Sequence, residues 1–301
     1  MTILRLAYAG MLIAGGSIAA AYENIDRWNS TATDGGTGSE GTPVTVTWSI
    51  VDDGVMIPSE SGQVASDLID MLDAEFGSGP GGDDYALRPW FSIFSDSFDR
   101  LSELSGLTYV YEPNDDGSAM SNISNHPLGD LGVRGDVRLA GRSYEKFTTL
   151  APNYFPDHGD MIINTDRGNY FDDAANNFRA FRNTIMHEAL HGVGVNHISS
   201  GSSAFLMKPT ISSAFDGPQL DDILAMQRLY GDVYEQNGGN NSYNSATQLG
   251  TVSTSQTLTV GQNGSSTLVD AGDIDFVSID DNSDFDYFSF TLNAALDIVI
   301  D

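Results

Sequence analysis

One segment constrains this chain more than any other, and it carries three of the five histidines in the sequence. It reads Ile185-Met-His-Glu-Ala-Leu-His-Gly-Val-Gly-Val-Asn-His197. His187 and His191 are four residues apart, so on a helix their side chains project from the same side, one turn apart. Gly194 follows three residues later, where a left-handed backbone conformation can end a helix and let the chain double back. The turn can then bring His197 to the same place as the first two histidines.

Three imidazoles at this spacing fit one Zn²⁺ ion, which binds ring nitrogens at about 2.0–2.1 Å and can keep a fourth position open for water. Glu188 is about 100° round the helix from His187, so it is offset from the metal and can hold that water. The sequence therefore predicts His187, His191 and His197 as metal ligands and Glu188 as a catalytic base. The alternative is a set of surface histidines without a ligand. The helix phase argues against core histidines, because Phe181, Ile185 and Ala189 form the core-facing stripe on another side.

The pattern His-Glu-x-x-His-x-x-Gly-x-x-His resembles that of the metzincin zinc endopeptidases, whose second signature is a methionine turn beneath the metal. Met207, ten residues after His197, is suitably placed for that turn; the alternative is an ordinary core methionine. The segment 220–231 (Leu-Asp-Asp-Ile-Leu-Ala-Met-Gln-Arg-Leu-Tyr-Gly) resembles the closing helix of the matrixin subfamily. Ile198 departs from the matrixins, which usually have serine after the third histidine.

This resemblance implies an α+β catalytic domain, built from a twisted, mostly parallel sheet with an antiparallel edge strand and three main helices. The local patterns agree with it. Strands are predicted at 43–50, 107–111, 136–140 and 159–164, and a helix at 89–104, from β-branched alternation and from helical spacing of apolar residues.

In matrixins the edge strand pairs with an extended substrate, a form of β-augmentation. The segment 149–156 resembles that strand, which would place Leu150 and Ala151 on the rim of the substrate cleft. Pro152 lacks an N–H, so we expect fewer hydrogen bonds to a substrate than in typical members. The resemblance implies zinc-dependent hydrolysis of peptide bonds, with proteins or peptides as the substrates.

The ends of the chain have different compositions. Residues 1–21 combine a basic start, an apolar stretch and a small-residue cleavage site at Ala19-Ala-Ala21, as in a secretory signal peptide; an uncleaved membrane anchor is the alternative. Residues 22–41 are rich in Gly, Ser and Thr and are predicted to be a flexible linker. We expect a secreted, extracellular protein with no membrane span after signal removal. The catalytic domain is assigned to 42–231.

Residues 232–301 read as β-rich, with short alternating runs at 255–260, 275–279 and 287–292. Two segments in this region, 241–250 and 284–290, resemble bacterial pre-peptidase C-terminal domains, which are β-sandwich modules of secreted peptidases. The sequence stops within a predicted strand, so we expect a partial, incomplete sandwich.

Charge and composition limit the partners. The formal net charge of −29 repels nucleic acid, so no nucleic-acid partner is expected. The chain has no cysteine, which excludes disulfides, thiolate zinc sites and a cysteine switch. We expect a monomer. A structural Ca²⁺ is a further expectation for the Asn-, Gly- and Asp-rich turn 166–173, although a solvated loop is the better interpretation. A second metal site at His126 and His158 is a weaker alternative.

Two other functions fit the same sequence. The chain can be a secreted binding or adhesion module with a vestigial, inactive zinc site, which a chelator-sensitive digestion assay would distinguish from a protease. It can also use zinc to hydrolyse a bond other than a peptide bond, which product analysis would reveal.

Overall fold

The computed structural model describes the backbone of residues 3–8 and residues 22–122, 126–144, 149–198, 204–264, 268–279, 284–295 and 297–299. The strands are β1 (Ile3–Tyr8), β2 (Ser30–Thr31), β3 (Gly35–Gly36), β4 (Val44–Ile50), β5 (Met56–Ser59), β6 (Gly62–Ala65), β7 (Leu107–Tyr111), β8 (Val137–Arg142), β9 (Met161–Asn164), β10 (Thr247–Val252) and β11 (Asp286–Leu292). The α-helices are α1 (Leu68–Phe76), α2 (Phe91–Leu104), α3 (Gly168–Phe171), α4 (Arg179–Gly192) and α5 (Leu220–Tyr230). Short 3₁₀ turns lie at Tyr85–Leu87, Thr165–Arg167, Ala174–Asn176 and Val233–Gly238.

A four-stranded parallel sheet forms the centre of the molecule, in the order β7-β4-β8-β9. Strand β4 is buried along almost its whole length, as expected for a central strand between two neighbours. Trp48 on β4 packs its ring against those of Phe98 on α2 and Tyr111 on β7, 4.8 and 4.6 Å away between centroids. The fold is therefore mixed α/β with a parallel sheet, compatible with the predicted α+β class, and the four strands predicted between residues 43 and 164 lie within two residues of the observed ones.

Helix α4 carries the first two histidines and is enclosed on both sides. The stripe predicted from the helical spacing is in the core, since Phe181, Ile185 and Ala189 are almost completely buried. The opposite side is covered as well, because every residue from Asn183 to Gly192 is buried. The histidines therefore lie on an interior face of α4 that is distinct from its apolar face.

The segment 22–41 is packed against the part of the chain that follows it, in contrast to the flexible linker that its composition predicts. Trp28 is 2% exposed, and its ring N–H donates to the Gly192 carbonyl at the end of α4. Arg27 donates to the carbonyls of Thr37 and Thr42, so it ties the segment to itself. The buried ring of Trp28 and the hydrogen bonds of Arg27 to several carbonyls hold the segment in place, although its composition predicts flexibility.

The C-terminal part differs from the predicted sandwich. Its strands form a single three-stranded sheet, β1-β11-β10, in which β1 pairs antiparallel with β11 and β10 pairs parallel with it. The runs 255–260 and 275–279 form no strand among the described residues. Directly after the first run, the carboxylate of Asp275 accepts from the backbone N–H of Gly261 and Gln262, which ties the start of the second run to the end of the first.

The boundary predicted at residue 231 does not separate two independent parts. The side-chain amide of Gln236 donates to the carbonyls of Ser102, Ser105 and Leu107. Farther along, Gln219 exchanges hydrogen bonds with the backbone of Val269. Residues on both sides of β10 therefore make hydrogen bonds to the part of the chain that precedes Gly231.

Part of the predicted signal peptide, Ile3–Tyr8, supplies strand β1, whereas its predicted cleavage site at 19–21 lies outside the described residues. Within the described parts of the chain, no helix combines the length and the hydrophobicity that crossing a membrane requires.

Candidate metal centre

Ring nitrogens of the three predicted ligands lie close together. The Nε2 atom of His197 lies 3.1 Å from Nε2 of His187 and 3.1 Å from Nε2 of His191. Helix α4 positions the first two rings, and the turn at Gly194, with φ near +101°, returns the chain to the third. A side chain at Gly194 would also collide with the Asp26 carbonyl, so both the backbone angle and the space require glycine here.

Hydrogen bonds on the far side of the rings fix how two of them are protonated. Nδ1 of His187 is 2.8 Å from the Leu206 carbonyl, and Nδ1 of His191 is 2.8 Å from the Val195 carbonyl. A carbonyl oxygen only accepts, so both Nδ1 atoms carry the proton, and both Nε2 atoms present a lone pair. These contacts orient the rings as metal-binding histidines require.

The donor set fits a tetrahedral zinc ion. Two nitrogens bound at about 2.0–2.1 Å on a tetrahedron are about 3.3–3.4 Å apart, close to the two separations observed here. Lone pairs of His187 and His191 face the same ring nitrogen of His197, and one proton on that nitrogen can satisfy only one of them at a time. A cation satisfies all three. His187, His191 and His197 therefore form a cluster that can bind a metal ion.

Glu188 is 7% exposed and lies between the first two ligands on α4. Its burial raises the pKa of the carboxyl group well above the ordinary value. A divalent cation nearby would lower the pKa again and make the carboxylate available as a base. The environment of Glu188 thus suits a site that contains a metal ion.

The histidines are held neutral in the folded chain. Burial, followed by the nearby His191, lowers the pKa of His187 to about 3, and burial lowers that of His191 to about 4. The pKa of His197 is lowered by burial too. Neutral imidazole is the form that binds zinc, so no proton has to leave these rings at neutral pH.

These shifts predict a pH dependence of stability in the metal-free protein. The folded state binds fewer protons than the unfolded state between the folded pKa values and the ordinary value of about 6.5. The contribution to stability is therefore complete above about pH 6.5 and is lost as the pH falls towards 4. We expect the free energy of unfolding, measured by denaturant titration at pH values from 7 to 4, to fall less steeply with decreasing pH in a His187→Asn variant than in the wild type. The difference in slope should be up to about 1.4 kcal/mol per pH unit. Equal slopes for the two proteins would contradict the burial of a neutral His187.

The predicted methionine turn is built around Met207, which is fully buried. Its carbonyl accepts from the N–H of Ile198, the residue after the third ligand. The carboxylate of Asp222, in the first turn of α5, accepts from the N–H of Leu206 at 2.7 Å and of Met207 at 3.1 Å. The carbonyl of Leu206 accepts a hydrogen bond from Nδ1 of His187, and the N–H of the same peptide unit, that of Met207, donates to Asp222, so one peptide unit connects Asp222 to the histidine cluster.

Asp221 and Asp222 both lie in the first turn of α5, and their position in the sequence does not distinguish the second as the residue that holds the Met207 loop. Asp222 also completes a capping box with Gln219, accepting from its N–H at 2.9 Å. Burial raises the pKa of Asp222 to about 6. A sequence signal was present, because an acidic residue at the third helical position is typical of a capping box.

The predicted edge segment runs antiparallel to β9, with a bridge between Asn153 and Met161. The carbonyls of Leu150 and Pro152 accept from the N–H groups of Asn164 and Ile162, so the backbone of both residues faces β9. The intervening residues, Ala151 and Asn153, direct their N–H and C=O groups to the open side.

This register changes the expectation for the cleft. The N–H that Pro152 lacks would face β9, so the missing hydrogen bond is one to the sheet and not one to the substrate. The reason given for expecting fewer hydrogen bonds to a substrate is therefore wrong. The side chain of Ala151 is 5% exposed and packs in the core, as does part of Leu150. At the open edge, therefore, Ala151 presents its backbone N–H and C=O groups, and neither Leu150 nor Ala151 presents its side chain.

The two weaker metal predictions have different outcomes. His126 and His158 do lie together, but their rings are stacked face to face at 4.0 Å, and they join no group of three convergent ligands among the described residues. In the turn 166–173, where a Ca²⁺ ion was a further expectation, the carboxylate of Asp166 accepts hydrogen bonds from Ser143 and Tyr144. The carboxylate of Asp173 accepts from the side-chain amide of Asn176.

Comparison of the sequence with models of known protein families and with curated proteins gives no match to either.

Proposed function

We propose that this chain is a secreted, monomeric zinc-dependent endopeptidase of the matrixin-like metzincin type. The observation that carries the proposal is the convergence of the three Nε2 atoms, two of them 3.1 Å from the third, beside the buried carboxyl group of Glu188. The buried Met207 under the same loop supports the family assignment. The sequence resemblance of the motif 187–197 and the segment 220–231 to matrixins supports a role in hydrolysing extracellular proteins or peptides.

In the proposed mechanism, His187, His191 and His197 would hold Zn²⁺ as neutral ligands. Zinc held there would supply polarisation of the scissile carbonyl and would lower the pKa of water to about 7. Glu188 removes a proton from the attacking water and then donates it to the departing amine. The backbone of Ala151 and Asn153 holds the peptide in extended form across the site.

The test is digestion of an unfolded protein such as reduced, alkylated casein by the zinc-loaded full chain. We expect new amino termini to appear, the activity to disappear with a zinc chelator and to return with one equivalent of Zn²⁺. Binding of zinc at 1:1 without cleavage of any protein or peptide library would support the inactive binding module instead.

The register of the edge segment makes a second prediction. Substrate residues that pair with Ala151 and Asn153 should be sensitive to N-methylation, whereas the residues between them should tolerate it, since their N–H groups point away from the edge. One backbone hydrogen bond contributes about 0.5–1.5 kcal/mol, so KM should rise by about 2–13-fold per sensitive position. Peptides methylated at each position in turn give this profile. A profile without alternation would exclude strand pairing at this edge.

A further inference from the structure

A second cluster of ligand-type side chains lies at the junction between α5 and the C-terminal sheet. Asp232 and Glu235 belong to the turn that follows α5, and Asp286 begins β11, about 50 residues later. One carboxylate oxygen from each lies within 4.8 Å of the others. All three residues are at most 3% exposed, and Asp284, nearby, is 8% exposed.

Burial of carboxylates in this number is costly unless a positive charge is present. Within the described chain, the charges that act on Glu235 are those of Asp232, Asp284 and Asp286, all of them negative. Burial and then repulsion by Asp232 raise the pKa of Glu235 to about 10. The cluster therefore needs either a bound cation or a retained proton to be stable at neutral pH.

An unsatisfied amide beside the carboxylates favours the cation. Asn240 is fully buried, and among the described residues neither its side-chain oxygen nor its nitrogen has a hydrogen-bond partner. Its backbone carbonyl accepts from Tyr287, the neighbour of Asp286, so the residue lies beside the cluster. One oxygen of Glu235 is also buried with no partner in the part of the chain that the structure describes, while the other accepts from the N–H of Asp232. Amide and carboxylate oxygens are the ligands that Ca²⁺ selects.

We propose that Asp232, Glu235 and Asp286, with the amide oxygen of Asn240, bind one Ca²⁺ that joins the catalytic part of the chain to β11. Mg²⁺ usually keeps several waters and binds through one or two carboxylates, whereas Ca²⁺ accepts six to eight oxygen ligands. A buried set of three carboxylates and an amide therefore suits Ca²⁺. The site is independent of the proposed peptidase activity, because its role is to hold two parts of the chain together.

The test uses the zinc-loaded full chain carrying Glu188→Ala, which prevents self-digestion. Calorimetric titration with CaCl₂ should show one Ca²⁺ per chain, with a Kd of about 10⁻⁴–10⁻³ M as in extracellular modules, and Ca²⁺ should raise the temperature of thermal unfolding. In the Glu235→Gln, Asp286→Asn double variant the affinity should fall at least tenfold and the thermal shift should disappear. Both substitutions preserve shape and remove repulsion, and an unchanged zinc content and circular dichroism spectrum verify folding.

The matched control is Asp172→Asn, which removes an exposed carboxylate from the turn 166–173 and should leave Ca²⁺ binding unchanged. If the double variant does not fold, Asp286→Asn alone keeps the contact between Asp232 and Glu235 and should show the same loss. If no Ca²⁺ binds at a concentration tenfold above the weakest expected Kd, the proposal is overturned and the cluster is protonated instead. Equal binding by the double variant, or a preference for Mg²⁺, would overturn it as well.

Discussion

Replacing Glu188 by Ala is expected to lower kcat for peptide hydrolysis by about 10²–10⁴-fold while one zinc ion per chain is retained. Of the three proposed ligands, His187 and His191 are oriented by the carbonyls of Leu206 and Val195 and not by the carboxylate of Glu188. Loss of the base should therefore separate metal binding from turnover. Metal analysis and steady-state kinetics on a peptide substrate measure the two effects.

The isosteric Glu188→Gln variant is the control for a structural role. Its activity should fall to a similar extent, because an amide cannot accept the water proton. Its metal-free form should be at least as stable as the wild type at pH 8. Burial raises the pKa of Glu188 in the folded state, so the ionised carboxylate lowers stability above its ordinary pKa, and the neutral amide removes that cost. Retained turnover in either variant would rule out Glu188 as the base.

The part of the site that could be predicted from the sequence is the part that is local. His187, His191 and Gly194 are related by one helix and one turn, so their spacing alone determines their relative placement. The helix itself, Arg179–Gly192, could be predicted from Phe181, Ile185 and Ala189. No distant residue has to be located for this much of the geometry.

What could not be predicted depends on register and on pairs that are far apart in sequence. The direction of the Ala151 N–H is set by which residue of β9 lies opposite, and one step of register would reverse it. The cluster of Asp232 and Asp286 joins residues separated by about 50 positions. For the segment 22–41, composition predicted flexibility, but Trp28 buries its ring against the end of α4.

The second large effect is expected at Asp222, a residue that contacts no metal ligand directly. Its carboxylate accepts three backbone hydrogen bonds, from Leu206, Met207 and Gln219, and it is completely buried. Asp222→Ala leaves three buried N–H groups without partners, each costing about 1–3 kcal/mol when isolated. Since the groups share one loop that can relax, we expect a total loss of about 3–5 kcal/mol in the free energy of unfolding.

The same substitution should weaken zinc binding by about 10–100-fold, because the loop that Asp222 fixes supplies the Leu206 carbonyl to His187. Asp222→Asn keeps an oxygen for two of the three bonds and should show an intermediate loss. The neighbouring Asp221→Ala is the matched control. Asp221 is partly exposed and lies in the same helical turn, so only its interaction with the helix dipole, about 0.3–1 kcal/mol, is removed.

Denaturant unfolding of the metal-free proteins and competition with a zinc chelator measure the two quantities for all three variants. Equal losses for Asp221→Ala and Asp222→Ala would show that helix capping alone explains both residues. Lower stability of Asp222→Ala with unchanged zinc affinity would show that the loop can be loosened without moving His187. A parallel loss in both quantities, graded from Ala to Asn, is the result expected if Asp222 orients the first ligand through the methionine turn.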